Sequence, residues 1–294
     1  SKLLSTSEFA KALCVSESSV RRLTDSGEDQ IHRTRGGHRR IPLPEAVRYV
    51  RASHAQIARP DLLGLEEDPA AVATGNVQDR MFAVLRSGHA SAVISLMQSL
   101  YAGGMSIASI CDGPIAYSMS EIGAVWPHDK KAIFIEHRAV ILCCRALNQL
   151  RLSIAEPEPD APQAIGGAMS GDRYLLPTLM ASLALHELGL NETNLGPVLP
   201  LDVLSDCVED EKPALVWLAI GEPVRSRTHL SQVIHLGEIA AECGSRFIIG
   251  GRYANELAEA LRTAEDVVCS YCPSMVCLEE SVRDLVDNHD DGLD

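Results

Sequence analysis

Trp126 stands ten positions before an adjacent Glu136–His137 pair, in a stretch otherwise rich in apolar residues. From Lys130 to Leu150 the chain has neither Gly nor Pro, and Ala132, Ile133, Ile135, Ala139, Val140 and Cys143 predict a helix. A carboxylate and an imidazole on or beside an apolar helix face need partners. The pair therefore reads as a satisfied polar pair in a core or as one wall of a ligand site. Further along, three apolar runs end in Gly171-Asp172-Arg173-Tyr174, Ala219-Ile220-Gly221 and Gly250-Gly251. If those runs are parallel strands, their carboxyl ends lie where open α/β sheets bind ligands. A double glycine there lets a flat or phosphate-bearing ligand lie on backbone. Arg252 and Tyr253 read equally as contacts to a ligand tail or as plain surface, Trp217 as core, and His128 as a loop histidine.

The nine cysteines are scattered and odd in number. With no signal-peptide pattern at the amino terminus, they read as reduced thiols. Cys269 and Cys272 have C-x-x-C spacing, but only Cys277 and His289 lie near as further ligands. Small buried residues are a better account of them than zinc or redox chemistry, and Cys143-Cys144 read as packing residues.

At 294 residues, 46% hydrophobic and 22% charged, the chain has the composition of a multidomain soluble globular protein. No apolar run approaches the roughly 18 residues of a membrane span, so a cytoplasmic location is expected. The net charge of −14 is unevenly spread: residues 1–59 hold 11 Lys+Arg and 6 acids, the remainder 15 and 34. A basic head on an acidic body suggests that the head alone meets nucleic acid.

The head carries its own motifs. Ser5-Thr-Ser-Glu8 has capping-box spacing before Phe9, Ala12 and Leu13, and Ser16-Glu-Ser-Ser19 starts a second short helix. Such a pair predicts a helix-turn-helix whose second helix presents Ser18, Ser19, Arg21 and Arg22 to DNA. Gly36-Gly37 between basic flanks predicts a hairpin wing, with Arg33, Arg35, His38, Arg39 and Arg40 placed for phosphate or minor-groove contact. Pro44 opens a third helix.

These readings place a winged helix-turn-helix at 1–59, a linker at 60–76, a four-helix bundle at 77–156 and a second linker at 157–162. Residues 163–294 then predict a flavodoxin-like doubly wound parallel sheet. Its strands are expected at QAIGGAM, TNLGPVL, ALVWLAI, RFIIGG and DVVCSY, and its helices at 174–189, 201–209, 228–243, 253–264 and 276–288.

The GGHRR wing resembles that of the MerR superfamily. The order of domains resembles the CarH/LitR-type regulators, which are cobalamin (B12)-dependent, light-responsive repressors. The resemblance covers nearly the whole chain. It implies that Trp126, Glu136 and His137 cap the upper face of adenosylcobalamin or another cobalamin, with His137 a possible cobalt ligand. It also implies a lower site on Asp172, position 174, Ala219, Gly250 and Gly251. The sequence departs from that pattern: Tyr174 stands where the family has the cobalt-ligating His, Pro177 where it has Gly, and Ala219 where it has Ser. A phenol with an ordinary pKa near 10 is a poor cobalt ligand beside imidazole.

Three outcomes stay open: cobalamin held without a protein atom below the cobalt, a bilin or other tetrapyrrole in its place, or an empty site serving protein contacts. The function expected is a non-enzymatic DNA-binding repressor that senses such a ligand and binds a double-stranded operator as a dimer or tetramer. The alternatives are a cobalamin-independent regulator controlled by a protein partner, and a component of a cobalamin-dependent methyltransferase or mutase.

Overall fold

The computed structural model describes residues 3–25, 32–33, 39–66, 69–125, 130–224, 226–262 and 269–290. The chain divides into two compact units, Ser1–Ser106 with Gly113–Ala155 and Ile107–Asp112 with Glu156–Asp294.

The first unit opens with β1 (Leu3–Ser5) and α1 (Thr6–Leu13). The capping box forms: Glu8 N–H donates to the Ser5 hydroxyl at 3.1 Å, and Ser5 N–H donates to the Glu8 carboxylate at 2.7 Å. Cys14 leaves α1 in the left-handed region, and α2 (Glu17–Asp25) begins with Ser19 N–H donating to the Ser16 hydroxyl at 3.1 Å. Strands β2 (His32–Arg33) and β3 (Arg39–Pro42) pair antiparallel. Strand β3 also pairs with β1, giving the order β1-β3-β2. The expected Gly36-Gly37 turn, Arg35 and His38 lie outside the described residues. Leu4, Phe9, Val20, Ile41 and Val47 are buried together with Val50 of α3 (Leu43–Ser53).

Residues 60–76, predicted as a linker, carry a 3-10 turn (Pro60–Leu63) and α4 (Pro69–Thr74), with Leu63, Leu65 and Val72 buried. The bundle follows, with α5 (Val77–Ser87), α6 (Ala90–Ala102), α8 (Ala116–Val125) and α9 (Lys130–Arg151); between α6 and α8 come α7 (Ile107–Ile110), which belongs to the second unit, and a π turn (Cys111–Ile115). The π turn falls at Gly113-Pro114, where proline has no N–H to give the helix; Ser118 Oγ donates to the Pro114 carbonyl at 2.6 Å. Two arginines bind α3 to the bundle. Arg48 donates to the carbonyls of Leu152 and Ile154 at 3.2 and 3.0 Å. Arg51 donates to those of Tyr101 and Met105 at 2.6 and 2.9 Å and lies 3.9 Å over the Tyr101 ring. Cations thus meet carbonyls at or just past the carboxyl ends of α6 and α9, where the helix dipole favours them.

The second unit alternates β4 (Gln163–Ala168), α10 (Leu175–Glu187), β5 (Asn191–Asn194), α11 (Leu201–Glu211), β6 (Leu215–Ala219), α12 (Arg227–Glu242), β7 (Arg246–Gly250), α13 (Ala254–Leu261), β8 (Ser270–Cys272) and α14 (Met275–Asp290). The strands are parallel in the order β5-β4-β6-β7-β8, a doubly wound sheet. Alternation along β6 sends Val216 and Leu218 into one apolar layer with Leu204, Leu236 and Leu257, and Leu215 and Trp217 into the other with Leu185 and Val282. Asp112 caps α14, accepting the N–H groups of Met275 and Val276 at 2.9 Å each. Two strands differ from expectation: β5 is Asn191–Asn194 rather than TNLGPVL, and β8 is Ser270–Cys272, the first three residues of the expected DVVCSY lying outside the described residues. Gly196, at φ 79°, and Pro197 break the regular ladder, and Leu195 to Leu199 run on irregularly beside β4.

Candidate functional site

In this strand order the chain turns to opposite sides after β4 and after β6, so the ligand crevice of the fold lies above their carboxyl ends. Three loops meet there: Met169–Tyr174 after β4, Ile220–Gly221 after β6 and Gly251–Tyr253 after β7. Ala219 sits at the edge in register with Ala168 and Gly250.

Asp172 is 1% exposed, and both of its carboxylate oxygens are engaged by backbone. Tyr174 N–H donates to one at 2.9 Å, and Gly221 N–H donates to the other in a short bond. The carboxylate therefore ties the β4 loop to the β6 loop across the crevice. Glycine is required opposite it, because a Cβ at position 221 would fall 2.8 Å from the Asp172 carboxylate and 2.9 Å from the Tyr174 ring. Tyr174 itself is 49% exposed, against Gly221 at the mouth. Gly251, at φ 107°, packs its backbone on Ile220, where a Cβ would stand 2.8 Å from the carbonyl oxygen.

Beneath the mouth, the space between sheet and α10 is filled. Gly166 and Trp217 are register partners on β4 and β6, and a Cβ on Gly166 would lie 2.2 Å from the indole. Trp217 Nε1 donates to Thr178 Oγ1 at 3.3 Å, Thr178 donates to Asn194 Oδ1 at 2.9 Å, and Gly196 N–H donates to the same oxygen at 3.0 Å. The sequence places Trp217 in the core but does not show that it packs on Gly166 beneath the crevice. The available signal was Gly166-Gly167 inside a strand, a mark of close approach by another group. A second polar row on α10 was not foreseen: Ser182 Oγ donates to Glu192 at 3.0 Å and His186 Nδ1 lies 3.0 Å from the same carboxylate, all three buried or nearly so.

In the first unit the Glu136–His137 pair is no core pair. Helix α9 buries Ala132, Ile135, Ala139, Leu142 and Cys143, while His137 is exposed on a stripe with Ile133, Phe134 and Ile141, which are 50–63% exposed. Ile133, expected on the apolar buried face, belongs to this stripe. Glu136 is half-buried on a neighbouring face. Trp126 and His128 lie outside the described residues. Burial pushes the Cys143 thiol up to about 12, and that of Cys272 to about 11. Among the described residues no cluster of His, Cys, Asp and Glu could hold a metal ion.

In the basic head, Ser18, Arg21 and Arg22 are exposed on α2, with Glu17 3.7 Å from Arg21. Ser19 turns its hydroxyl to Ser16, 2.9 Å away, and serves the cap. On β3, Arg39 is the register partner of Arg33, and Arg40 that of His32. No helix among the described residues is long and apolar enough to cross a membrane.

No protein-family profile and no curated protein sequence matches the chain. Solved structures do. Over 71% of its length the chain shares the fold of the Methanosarcina barkeri monomethylamine corrinoid protein, covering 98% of that protein with a TM-score of 0.54 at 12% identity. A cobalamin-binding protein from Desulfitobacterium hafniense DCB-2 aligns at a TM-score of 0.36 and 15% identity, with 74% of this chain and 97% of that one covered. The methanol:cobalamin methyltransferase complex of Methanosarcina barkeri aligns at 0.30 and 12%, over 90% and 97%. Over that length the chain thus has the fold of the monomethylamine corrinoid protein.

The residues here fit part of such a group. A flat ring would meet backbone at Gly221, Gly250 and Gly251, although protein atoms already hold the space a Cβ would take at each. A protein ligand from below does not fit: position 174 offers a phenol, and the neighbouring carboxylate is spent on two backbone N–H groups. No chemistry routed through a metal below the ring follows from these residues.

Proposed function

We propose that the protein is a DNA-binding transcriptional regulator, a repressor without catalytic activity, whose corrinoid-type α/β unit is its sensing part. The observation that carries the reading is the head: α2 presents Arg21 and Arg22, and the antiparallel pair β2–β3 carries Arg33, Arg39 and Arg40. Read as a winged helix of the MerR kind, α2 enters the major groove and the β2–β3 wing lies along the backbone. Arg48 and Arg51 make the head answerable to the bundle, because they fasten α3 to two helix ends.

One small head reads few base pairs, so binding needs two or more copies on one duplex, and a ligand that changes their number changes affinity through multivalency. The test is selection from a random duplex pool by the full-length protein, followed by titration of the selected site across a range of salt. Enrichment of one repeated half-site, and a log–log salt slope of several phosphates, is the expected result. No enrichment, with a flat salt response, refutes it.

A second reading, a regulator indifferent to corrinoids and controlled by a protein partner, is favoured by Asp172, whose oxygens are both satisfied by the protein itself. It differs in leaving operator affinity unchanged when corrinoids are added.

A further inference from the structure

We propose that the α/β unit takes a corrinoid ring lacking a nucleotide tail, laid flat on the carboxyl edge of the sheet, and that it excludes nucleotide-bearing cobalamins. The inference rests on the corrinoid reading of the unit and narrows it to one ligand class.

The first ground is the filled layer. In a doubly wound sheet a bulky appendage can pass below the strand ends only where sheet and covering helix leave a gap. Beside the β4–β6 crevice that gap is occupied by Trp217, 2% exposed, whose indole lies over the bare Cα of Gly166. The indole is fixed by its bond to Thr178, and Thr178 by Asn194. A benzimidazole nucleotide is at least as large as an indole, and close-packed interiors do not absorb such a volume without displacing side chains.

The second ground is the surface above. Gly221, Gly250 and Gly251 bring backbone to the strand ends, the exposed Tyr174 ring lies against Gly221, and the exposed Val198 donates its N–H to the Asp172 carbonyl close by. This arrangement leaves backbone and apolar area for a broad flat face. The third ground is the engaged carboxylate. With Asp172 held by Tyr174 N–H and Gly221 N–H, the loop cannot open to admit a group between β4 and β6 without exposing two backbone donors.

The experiment compares dicyanocobinamide, which carries the corrin ring without the nucleotide, with cyanocobalamin. Each is dialysed to equilibrium against the full-length protein, and bound ligand is read from corrin absorbance. Cobinamide is expected to bind at least about tenfold more tightly than cobalamin, the preference set by steric exclusion rather than by new contacts. In Trp217→Leu, cobalamin binding is expected to strengthen about tenfold with cobinamide unchanged. Circular dichroism checks that this variant folds, and if it does not, the wild-type comparison decides alone. Cobalamin binding as tightly as cobinamide overturns the exclusion while leaving the corrinoid reading intact. Retention of neither, by a protein that still binds its selected DNA site, overturns the corrinoid reading and this inference with it.

Discussion

Replacing Asp172 by Ala tests whether this carboxylate is a structural tie. The side chain is 1% exposed and accepts two backbone N–H groups, from Tyr174 at 2.9 Å and from Gly221. A hydrogen bond to a charged group contributes about 1.5–3 kcal/mol, and a buried donor left without an acceptor costs a similar amount. Taking the lower figure for each bond, Asp172→Ala is expected to destabilise the α/β unit by about 3 kcal/mol. For a unit of this size that lowers its midpoint by roughly 6–12 °C. Asp172→Asn keeps one acceptor oxygen but turns an amide NH2 toward the other donor, and should lose about half as much. The assay is thermal and urea unfolding followed by Trp217 fluorescence in a Trp126→Phe background, so that emission reports this unit alone. A loss below about 0.5 kcal/mol in Asp172→Ala would mean that water or rearranged backbone satisfies both donors, and the tie would be refuted.

Further outcomes are expected at other sites. Gly251→Ala combines a left-handed φ of 107° with a Cβ 2.8 Å from the Ile220 carbonyl, so it should cost about 2–3 kcal/mol in the same unfolding assay. Arg39→Ala with Arg40→Ala should reduce the log–log salt slope of DNA binding by about 1–2, measured by fluorescence anisotropy. Asp284, held below its ordinary 3.8 by hydrogen bonds from Arg246 at 2.7 and 2.8 Å, contributes stability that is present above its unfolded pKa. That contribution disappears as pH falls through the depressed folded value. The gap in unfolding midpoint between wild type and Asp284→Asn should therefore be present at neutral pH and close in acid. With its thiol pushed up to about 12 by burial, Cys143 holds on the order of 10⁻⁴ thiolate at pH 8. Iodoacetamide should label the exposed Cys14 in the native protein and Cys143 only after denaturation, as read by peptide mass spectrometry.

Local chemistry was legible where the signal is local. Ser5 and Glu8 announce their capping box because both partners lie within one helical turn. The alternation of apolar runs with helical stretches gives the doubly wound sheet, since a strand buried on both faces must be apolar throughout. The segment at 60–76 reads as a linker, partly helical, from its Pro, Gly and acid content; the sequence does not show that its few apolar residues, Leu63, Leu65 and Val72, are buried. β5 misled because NETN has no apolar pattern: Glu192 and Asn194 meet polar partners on α10 that no local window contains.

The candidate site divides the same way. Residue types alone determined that position 174 holds a phenol and not an imidazole, that Gly250-Gly251 closes a strand, and that the net positive charge sits in the first 59 residues. Tertiary structure decided what those residues do. His137 joins an exposed stripe instead of a core, because helix rotation is set by which residues the neighbouring helices bury. Asp172 becomes a tie instead of a free acceptor, because Gly221 lies 49 residues away in the chain and within hydrogen-bond reach in the fold. Trp217 fills the layer between sheet and α10 for the same reason: strand register, a non-local property, sets it beside Gly166, and the sequence spells both residues without saying that they meet.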